Sequence, residues 1–336
     1  MPVKFSYNAS YCLIHLKEPF MASPSTVTEV PTLAGFKLDR RLWIIVSLLI
    51  LYIIWGTTYL VIRFALHGFQ PYWLMGLRFL IAGGALYLFL RWRGAPNPTL
   101  KQWRSATIVG ALLLGGGMGS VALAEQSISS GLAATLVATM PLWSILYNRL
   151  WGKRASRGEW IGVGLGMVGV ALLSLEGNLQ ANPEGILLLI LAPALWALGS
   201  VWMNHLDMPA GFMGGAAEML AGGGVLVGMA LLRGEPFPTN PPPDSVAALI
   251  YLIILGSLLT MTAYNYLLKT VSTTLATSYS FVNPAIALFL GVLLGGEVLT
   301  GSALIALPVI LVGVAFVFRA KQATFRSSEP TTNAKP

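Results

Sequence analysis

From residue 43 onward the chain is a succession of apolar stretches of about twenty residues. Ten can be placed, near 43–66, 71–91, 105–125, 130–150, 158–175, 184–203, 211–232, 245–268, 274–294 and 302–320. Turn and charge signals separate them, among them His67–Pro71, Arg91–Arg104, Gly152–Gly158, Asp207–Gly211 and Gly234–Asp244. A bilayer core of about 30 Å takes roughly 20 apolar residues in a helix. Lipid offers no partner to a free backbone N–H or C=O, so helices are the predicted form. A transmembrane barrel would show alternating segments of about ten residues, and none occur. The pattern predicts an all-α integral membrane protein with ten transmembrane helices.

Residues 1–42 are richer in Ser, Thr, Pro and charge and hold no apolar run long enough to span. They are expected to form a flexible tail and lack the apolar core and small-residue cleavage site of a signal peptide. Met21 is a second candidate start. Residues 321–336 form another polar tail.

Composition narrows the class. Charged residues make up 10% of the 336 positions and apolar ones 55%, and mean hydropathy is +0.71; soluble domains carry about 25% charge. An ordinary soluble enzyme, a disordered regulator and a disulfide scaffold are excluded. Cys12 is the single cysteine, and His15, His67 and His205 are the histidines. No disulfide, metal site or cofactor is expected. The net charge of +8 first raises nucleic acid as a partner. Sorting the cations by loop removes it: of 21 Lys and Arg, 18 fall on one side, Arg233 alone on the other, and Arg63 and Arg78 inside spans. Such a bias orients a membrane protein. Both termini are expected in the cytoplasm, the inner membrane of a bacterium being the favoured location, with no nucleic-acid partner.

The chain also repeats itself. Ser129-Ser130-Gly131-Leu132-Ala133-Ala134-Thr135 matches Ser272-Thr273-Thr274-Leu275-Ala276-Thr277-Ser278 at an offset of 143, which carries Pro141 onto Pro284. Trp55 falls on Trp196 at 141, and Arg78 on Glu218 at 140. Spans 1–5 (43–176) and 6–10 (184–320) would then be two repeats. An odd number of crossings in each makes them inverted, with a site near the midplane where they meet. Chance similarity of apolar segments is the competing reading.

At this point the sequence resembles a known family. Trp55-Gly56-Thr57-Thr58-Tyr59, Asn283-Pro284 and Leu294-Gly295-Gly296-Glu297 look like the EamA-type drug/metabolite transporter superfamily. Tyr52-Ile53-Ile54 before Trp55, with Ala276-Thr277-Ser278-Tyr279 and Val282-Asn283-Pro284, is similar to its YedA-like exporter branch. The resemblance covers about residues 43–320. It implies a ten-helix bundle, a central cavity lined by spans 1, 3, 4, 6, 8 and 9, and export of metabolites such as amino acids, or of drugs. One departure stands out: Gly152 is followed by Lys153 and Arg154 where the family's first repeat usually has Gly-Glu. Glu297 therefore has no acidic counterpart.

Candidate site residues follow from spacing. Pro141 and Pro284 lack an N–H and free the carbonyls of Val137 and Ser280, which suggests broken or kinked helices at a central site, or plain packing kinks. Thr135 and Thr139, and Tyr279 and Asn283, lie four apart on helix faces. Tyr52, Trp55, Tyr59 and Arg63 form a stripe in span 1, and Trp196, Ser200 and Asn204 another in span 6. Trp55 and Trp196 are too central for interfacial anchors and are candidates for offering ring faces to an aromatic or cationic substrate, against core packing. Tyr264 adds a polar group in span 8. Substrate-binding candidates are thus Trp55, Tyr59, Thr135, Thr139, Trp196, Ser200, Tyr264, Tyr279 and Asn283.

Intramembrane charge is a functional signal by default. Arg78, Glu125 and Glu218 are the coupling or gating candidates, Glu218 as a proton carrier; the bland reading has Arg78 and Glu218 brace the bundle or snorkel to an interface. Gly115/Gly119, Gly162/Gly166, Gly224/Gly228 and Gly291/Gly295 are spaced for close helix packing, within the chain or in a homodimer. No zincin, Walker or nucleophile-elbow motif occurs. The expectation is a secondary active transporter with a small-molecule substrate and the lipid bilayer as partners, and no enzyme activity. An uncoupled facilitator or channel, and behind it an intramembrane enzyme, are the alternatives.

Overall fold

The structure is a computed structural model that describes residues 39–127, 130–174, 183–295 and 308–317, with 305 and 319. All but residues 39–42 of the predicted N-terminal tail, the whole C-terminal tail, Glu297 and most of the tenth stretch lie outside these. The helices are α1 (Arg40–Ala65), α2 (Pro71–Trp92), α3 (Leu100–Ala124), α4 (Ser130–Val137), α5 (Met140–Leu150), α6 (Arg157–Ser174), α7 (Pro183–His205), α8 (Phe212–Leu232), α9 (Pro243–Thr270), α10 (Thr273–Ala276), α11 (Tyr279–Gly295) and α12 (Pro308–Val317). Among the described residues there is no strand. Among the described residues six helices, α1, α2, α3, α7, α8 and α9, are long and apolar enough to cross a membrane. The fourth and ninth stretches, predicted as single spans, are each interrupted.

Local chemistry sets the helix ends. Pro71 and Pro243 sit in the first turns of α2 and α9, where a missing N–H costs nothing. Thr99 and Gln102 cap α3 reciprocally. At the far end of α2, Gly94 takes φ 85°, and the N–H groups of Gly94 and Ala95 return to the carbonyls of Arg91 and Leu90. Gly234 does the same after α8 with φ 66°, its N–H and that of Glu235 returning to Leu231 and Ala230. A left-handed residue here favours glycine.

Water-free packing between apolar helices relies on small residues. A Cβ on Gly83 would lie 2.8 Å from the Leu220 backbone N, and one on Gly223 2.9 Å from the Leu80 N, so α2 and α8 touch backbone to backbone. Gly110 of α3 meets the Glu218 carbonyl of α8 at 2.7 Å in the same sense, and Gly162 of α6 meets the Gly313 carbonyl of α12 at 2.6 Å. Gly224 and Gly228, predicted to pack within the chain or in a homodimer, have open space around them within this chain. They belong to the outer side of α8, away from α2 and α3. Ile45, Leu49 and Ile53 form an exposed apolar line on α1, as expected of a face toward lipid.

The two ends of the bundle are distinguishable. At one, Lys101 pairs with Asp207 at 3.3 Å and Trp151 stacks on His205 with centroids 5.3 Å apart. This basic end gathers the α2–α3, α5–α6 and α7–α8 connections. At the other, the Glu235 carboxylate accepts from the N–H groups of Tyr72 and Trp73, and Ser245 donates to the Phe64 carbonyl. Burial raises the Glu235 carboxyl above its usual value, opposed by those N–H groups and by Arg233.

Three long helices locally widen into π geometry, with more residues per turn than an α-helix: α1 at Leu51–Trp55, α3 at Ala111–Met118 and α9 at Ile254–Leu259. Such segments concentrate at functional sites. The α3 and α9 segments begin 143 residues apart, the offset of the internal repeat. Sequence periodicity does not announce them, although Gly115-Gly116-Gly117 and Gly256-Ser257 mark the places where small residues let a neighbour intrude.

Candidate functional site

The irregular segments meet at the centre of the bundle. Trp55 closes the α1 π segment, and its ring packs 4.4 Å from Tyr279, 5.3 Å from Tyr264 and 5.6 Å from Trp196, centroid to centroid. Edge-to-face ring pairs of this kind are favoured by their quadrupoles. Trp196 reaches the centre because α3 presents Gly117 there: a Cβ would lie 2.8 Å from the indole. The polar tips are satisfied. Trp196 Nε1 donates to Tyr264 Oη at 2.9 Å, Ser200 Oγ and Tyr264 Oη lie 2.7 Å apart, and Ser200 Oγ donates to the Trp196 carbonyl.

Between these rings and α3 lies a cavity of about 30 Å3, lined by α1, α3, α4, α5, α7 and α11, enough for one water. Trp55, Tyr59, Trp196, Tyr279 and Asn283 line it. Asn283 is buried beside the Tyr59 hydroxyl, and neither side-chain atom is held in good hydrogen-bond geometry. Tyr264 and Ser200 stand behind Trp196 rather than in the lining. Thr139 is not brought to the cavity; its hydroxyl caps the Leu136 carbonyl at the α4 end. The Thr135 side chain lies outside the described residues.

The prolines behave differently from one another. Pro141 enters the first turn of α5 directly after the α4–α5 break. Pro284 lies inside α11, whereas the interruption before that helix falls at Thr277–Ser278. There Thr277 and Ser278 turn their hydroxyls onto the carbonyls of Thr273 and Leu275, which stabilises the break locally. Pro193, inside α7, lines the cavity and is not among the residues predicted from the sequence. Like Pro141 and Pro284 it lacks an N–H and frees a carbonyl one turn earlier, a signal legible in the sequence. Met140, also in the lining and accepting from Tyr279 Oη at 3.3 Å, carried no such signal.

The buried charges do not snorkel: Arg78 and Glu218 are both fully buried. The Arg78 guanidinium donates to Ser257 Oγ at 2.7 Å and to the Gly256 carbonyl, both in the α9 π segment. That carbonyl also accepts from Trp55 Nε1 at 3.3 Å and Thr260 Oγ1 at 2.7 Å. Arg78 therefore fixes the element on which Trp55 rests, a link invisible in sequence. Glu218 accepts from Asn265 Nδ2 at 3.0 Å, while its second oxygen has no partner. Glu125 is buried at the end of α3 with both oxygens unpartnered, and Arg63 acts on it electrostatically. Among the described residues no group of three or more His, Cys, Asp or Glu could hold a metal.

Two polar ladders run from the cavity toward the basic end. On α7, Trp196, Ser200 and Asn204 repeat every four residues, Asn204 donating to the Ser200 carbonyl. On α5, Met140, Ser144 and Asn148 do the same, with bonds of 3.1 Å and 2.8 Å to the preceding carbonyls. Both ladders end in a second, larger cavity of about 530 Å3, lined by Asn148, Asn204, Lys153, Arg154 and Lys269. Along these ladders Tyr264 bonds to Ser200 at 2.7 Å, and Thr277 lies 3.4 Å from Ser144.

Comparison with known proteins agrees with this architecture. A family model described as "EamA-like transporter family" matches residues 42–175 and again 183–319. The "Uncharacterized inner membrane transporter YedA" of Escherichia coli (strain K12) is 42% identical over 272 residues, 81% of this chain and 89% of that protein. The "Probable amino-acid metabolite efflux pump" of Salmonella typhimurium (strain LT2) is 26% identical over 307 residues, 82% of this chain and 95% of that one. A solved crystal structure, 18% identical, superposes with a TM-score of 0.68 over 85% of this chain and 99% of its own, a likeness of fold.

Proposed function

Because the chain belongs to the EamA-like transporter family and is a multi-pass membrane transporter, not an enzyme, we propose that it exports small metabolites, amino acids or related compounds, or drugs, by alternating access. Its partners are a small-molecule substrate and membrane lipid. Ten spans in two inverted repeats, 43–176 and 184–320, would rock about the central cavity. The duplicated family match, the paired helix ends at Gly94 and Gly234 and the equivalent π segments of α3 and α9 support that arrangement. The basic end and both termini would face the cytoplasm by the charge bias.

The observation that carries the reading is the small centre: a one-water cavity from which two polar ladders lead to the larger cavity, with the Tyr264–Ser200 and Thr277–Ser144 pairs along them. A permanently open channel would need a continuous aqueous path; a carrier needs a plug that can part. Trp55, Tyr59, Trp196, Tyr279 and Asn283 would form the binding surface, with Tyr264 and Ser200 holding the plug. Glu218, buried beside Asn265, would carry the coupling proton. Flux of an amino-acid and drug panel into proteoliposomes tests the reading: saturable, compound-selective flux supports it, and no compound moving faster than through protein-free vesicles sinks it. Glu218→Gln should abolish proton-driven accumulation and spare counterflow; unchanged accumulation removes Glu218 from coupling.

A further inference from the structure

The larger cavity at the basic end combines charge and shape in a way that topology alone does not require. An orientation signal needs cations anywhere in the loops of one side. Here Lys153 and Arg154, from the α5–α6 connection, converge with Lys269, in the last turn of α9, on one concave space of about 530 Å3. The one carboxylate in its wall, Glu159, accepts from the Ser156 N–H at 2.9 Å and so serves the start of α6. Lys269 is exposed and lines this space; the buried Glu218 acts on it electrostatically from the bundle side, without a salt bridge to it among the described residues. With three cations against one carboxylate in its lining, the concavity carries a net positive field that raises the local concentration of anions.

We propose that this vestibule is a recognition site for the carboxylate of a small organic anion, with Lys269 as its principal contact and Lys153 and Arg154 as its electrostatic rim. The inference deepens the transporter reading and rests on it for the anion's onward route. That route favours a monocarboxylate over a phosphate dianion. Beyond Asn148 and Asn204 come the hydroxyls of Ser144, Ser200 and Tyr264, then the aromatic faces and the buried amide of Asn283. Arg78 is already engaged with Ser257 and Gly256, so a doubly charged group would meet no cation there. A carboxylate with an apolar or amine-bearing tail leaves its charge on Lys269 and offers the tail to the rings.

The test reads binding by calorimetry on the purified full chain in nanodiscs, with valerate as probe and valeramide as its neutral isostere. Valerate should bind, and valeramide should be at least about tenfold weaker, the size of one lost charge-assisted hydrogen bond. Lys269→Gln should weaken valerate by about tenfold and Lys269→Arg should restore it, which separates lost charge from a folding defect. Arg93→Gln removes the same charge at the same end outside the cavity and should change nothing. Equal binding of valeramide, or an equal loss in Arg93→Gln, overturns the site in favour of a general surface potential. Stronger binding of inorganic phosphate, or loss of valerate binding when phosphatidylglycerol replaces phosphatidylcholine, overturns it in favour of a phosphate or lipid headgroup. Because flux is not read, a chain that binds valerate but transports nothing upholds this site while refuting the carrier mechanism.

Discussion

If the Trp196–Tyr264–Ser200 cluster beside the central cavity is a gate, weakening one bond in it must open the centre. Tyr264→Phe removes one oxygen and leaves the ring, which keeps its packing against Trp55, Trp196 and Tyr279. Trp196 Nε1 then loses its acceptor at 2.9 Å while buried; Ser200 keeps its bond to the Trp196 carbonyl. In an open state water would reach the indole, so the penalty falls on the closed state alone. An intramembrane hydrogen bond is worth about 0.6 kcal/mol net on average, and a stranded buried donor costs up to about 2 kcal/mol. The closed-to-open equilibrium should therefore shift by about 3-fold to about 30-fold. Cys12 is the only native cysteine, so Cys12→Ser with Val137→Cys places a single thiol in the cavity lining. Its labelling by a water-soluble maleimide should accelerate by that factor in Tyr264→Phe. Tyr251→Phe, which loses a 2.5 Å contact to Thr57 away from the plug, should label at the parent rate. Equal rates in all three proteins, or equal acceleration in both variants, would refute the gate.

Further outcomes follow from packing and charge. Gly83→Ala should lower the melting temperature, since its Cβ would press on the Leu220 backbone at 2.8 Å and overpacking costs about 1–3 kcal/mol; Gly224→Ala on α8, with open space around it, should melt at or above the parent. Arg78→Lys cannot reach Ser257 and Gly256 with a planar fork, and should lose about 1.5–3 kcal/mol by chemical unfolding; an unchanged midpoint would show the guanidinium to be incidental. Burial holds the Glu235 proton more tightly in the folded than in the unfolded chain. Its stabilisation is thus present below the ordinary value of 4.5 and lost as pH rises through the higher folded value. Glu235→Gln should flatten the fall in melting temperature on that rise.

The amino-acid sequence by itself determined that this chain is a helical membrane transporter. Lipid cannot satisfy a bare backbone, so twenty-residue apolar runs are enough to predict helices without knowing their neighbours. It also marked Trp55, Trp196, Tyr279 and Asn283, because polar and aromatic groups stand out against an apolar background. What it left open were properties of contact. Thr139 has the composition of a site residue but spends its hydroxyl on Leu136. Gly224 and Gly83 look alike in sequence, and only the neighbouring helix decides which is close-packed. Arg78 and Glu218 fall at matching repeat positions, yet one is held by a carbonyl and a hydroxyl in a π segment and the other by an amide. A π segment is not a periodicity that one strand of sequence can declare, since it depends on what pushes into the helix. Hydrophobicity is additive along a chain and legible there; closure of a cavity is a relation among helices far apart in sequence, and only the tertiary structure sets it.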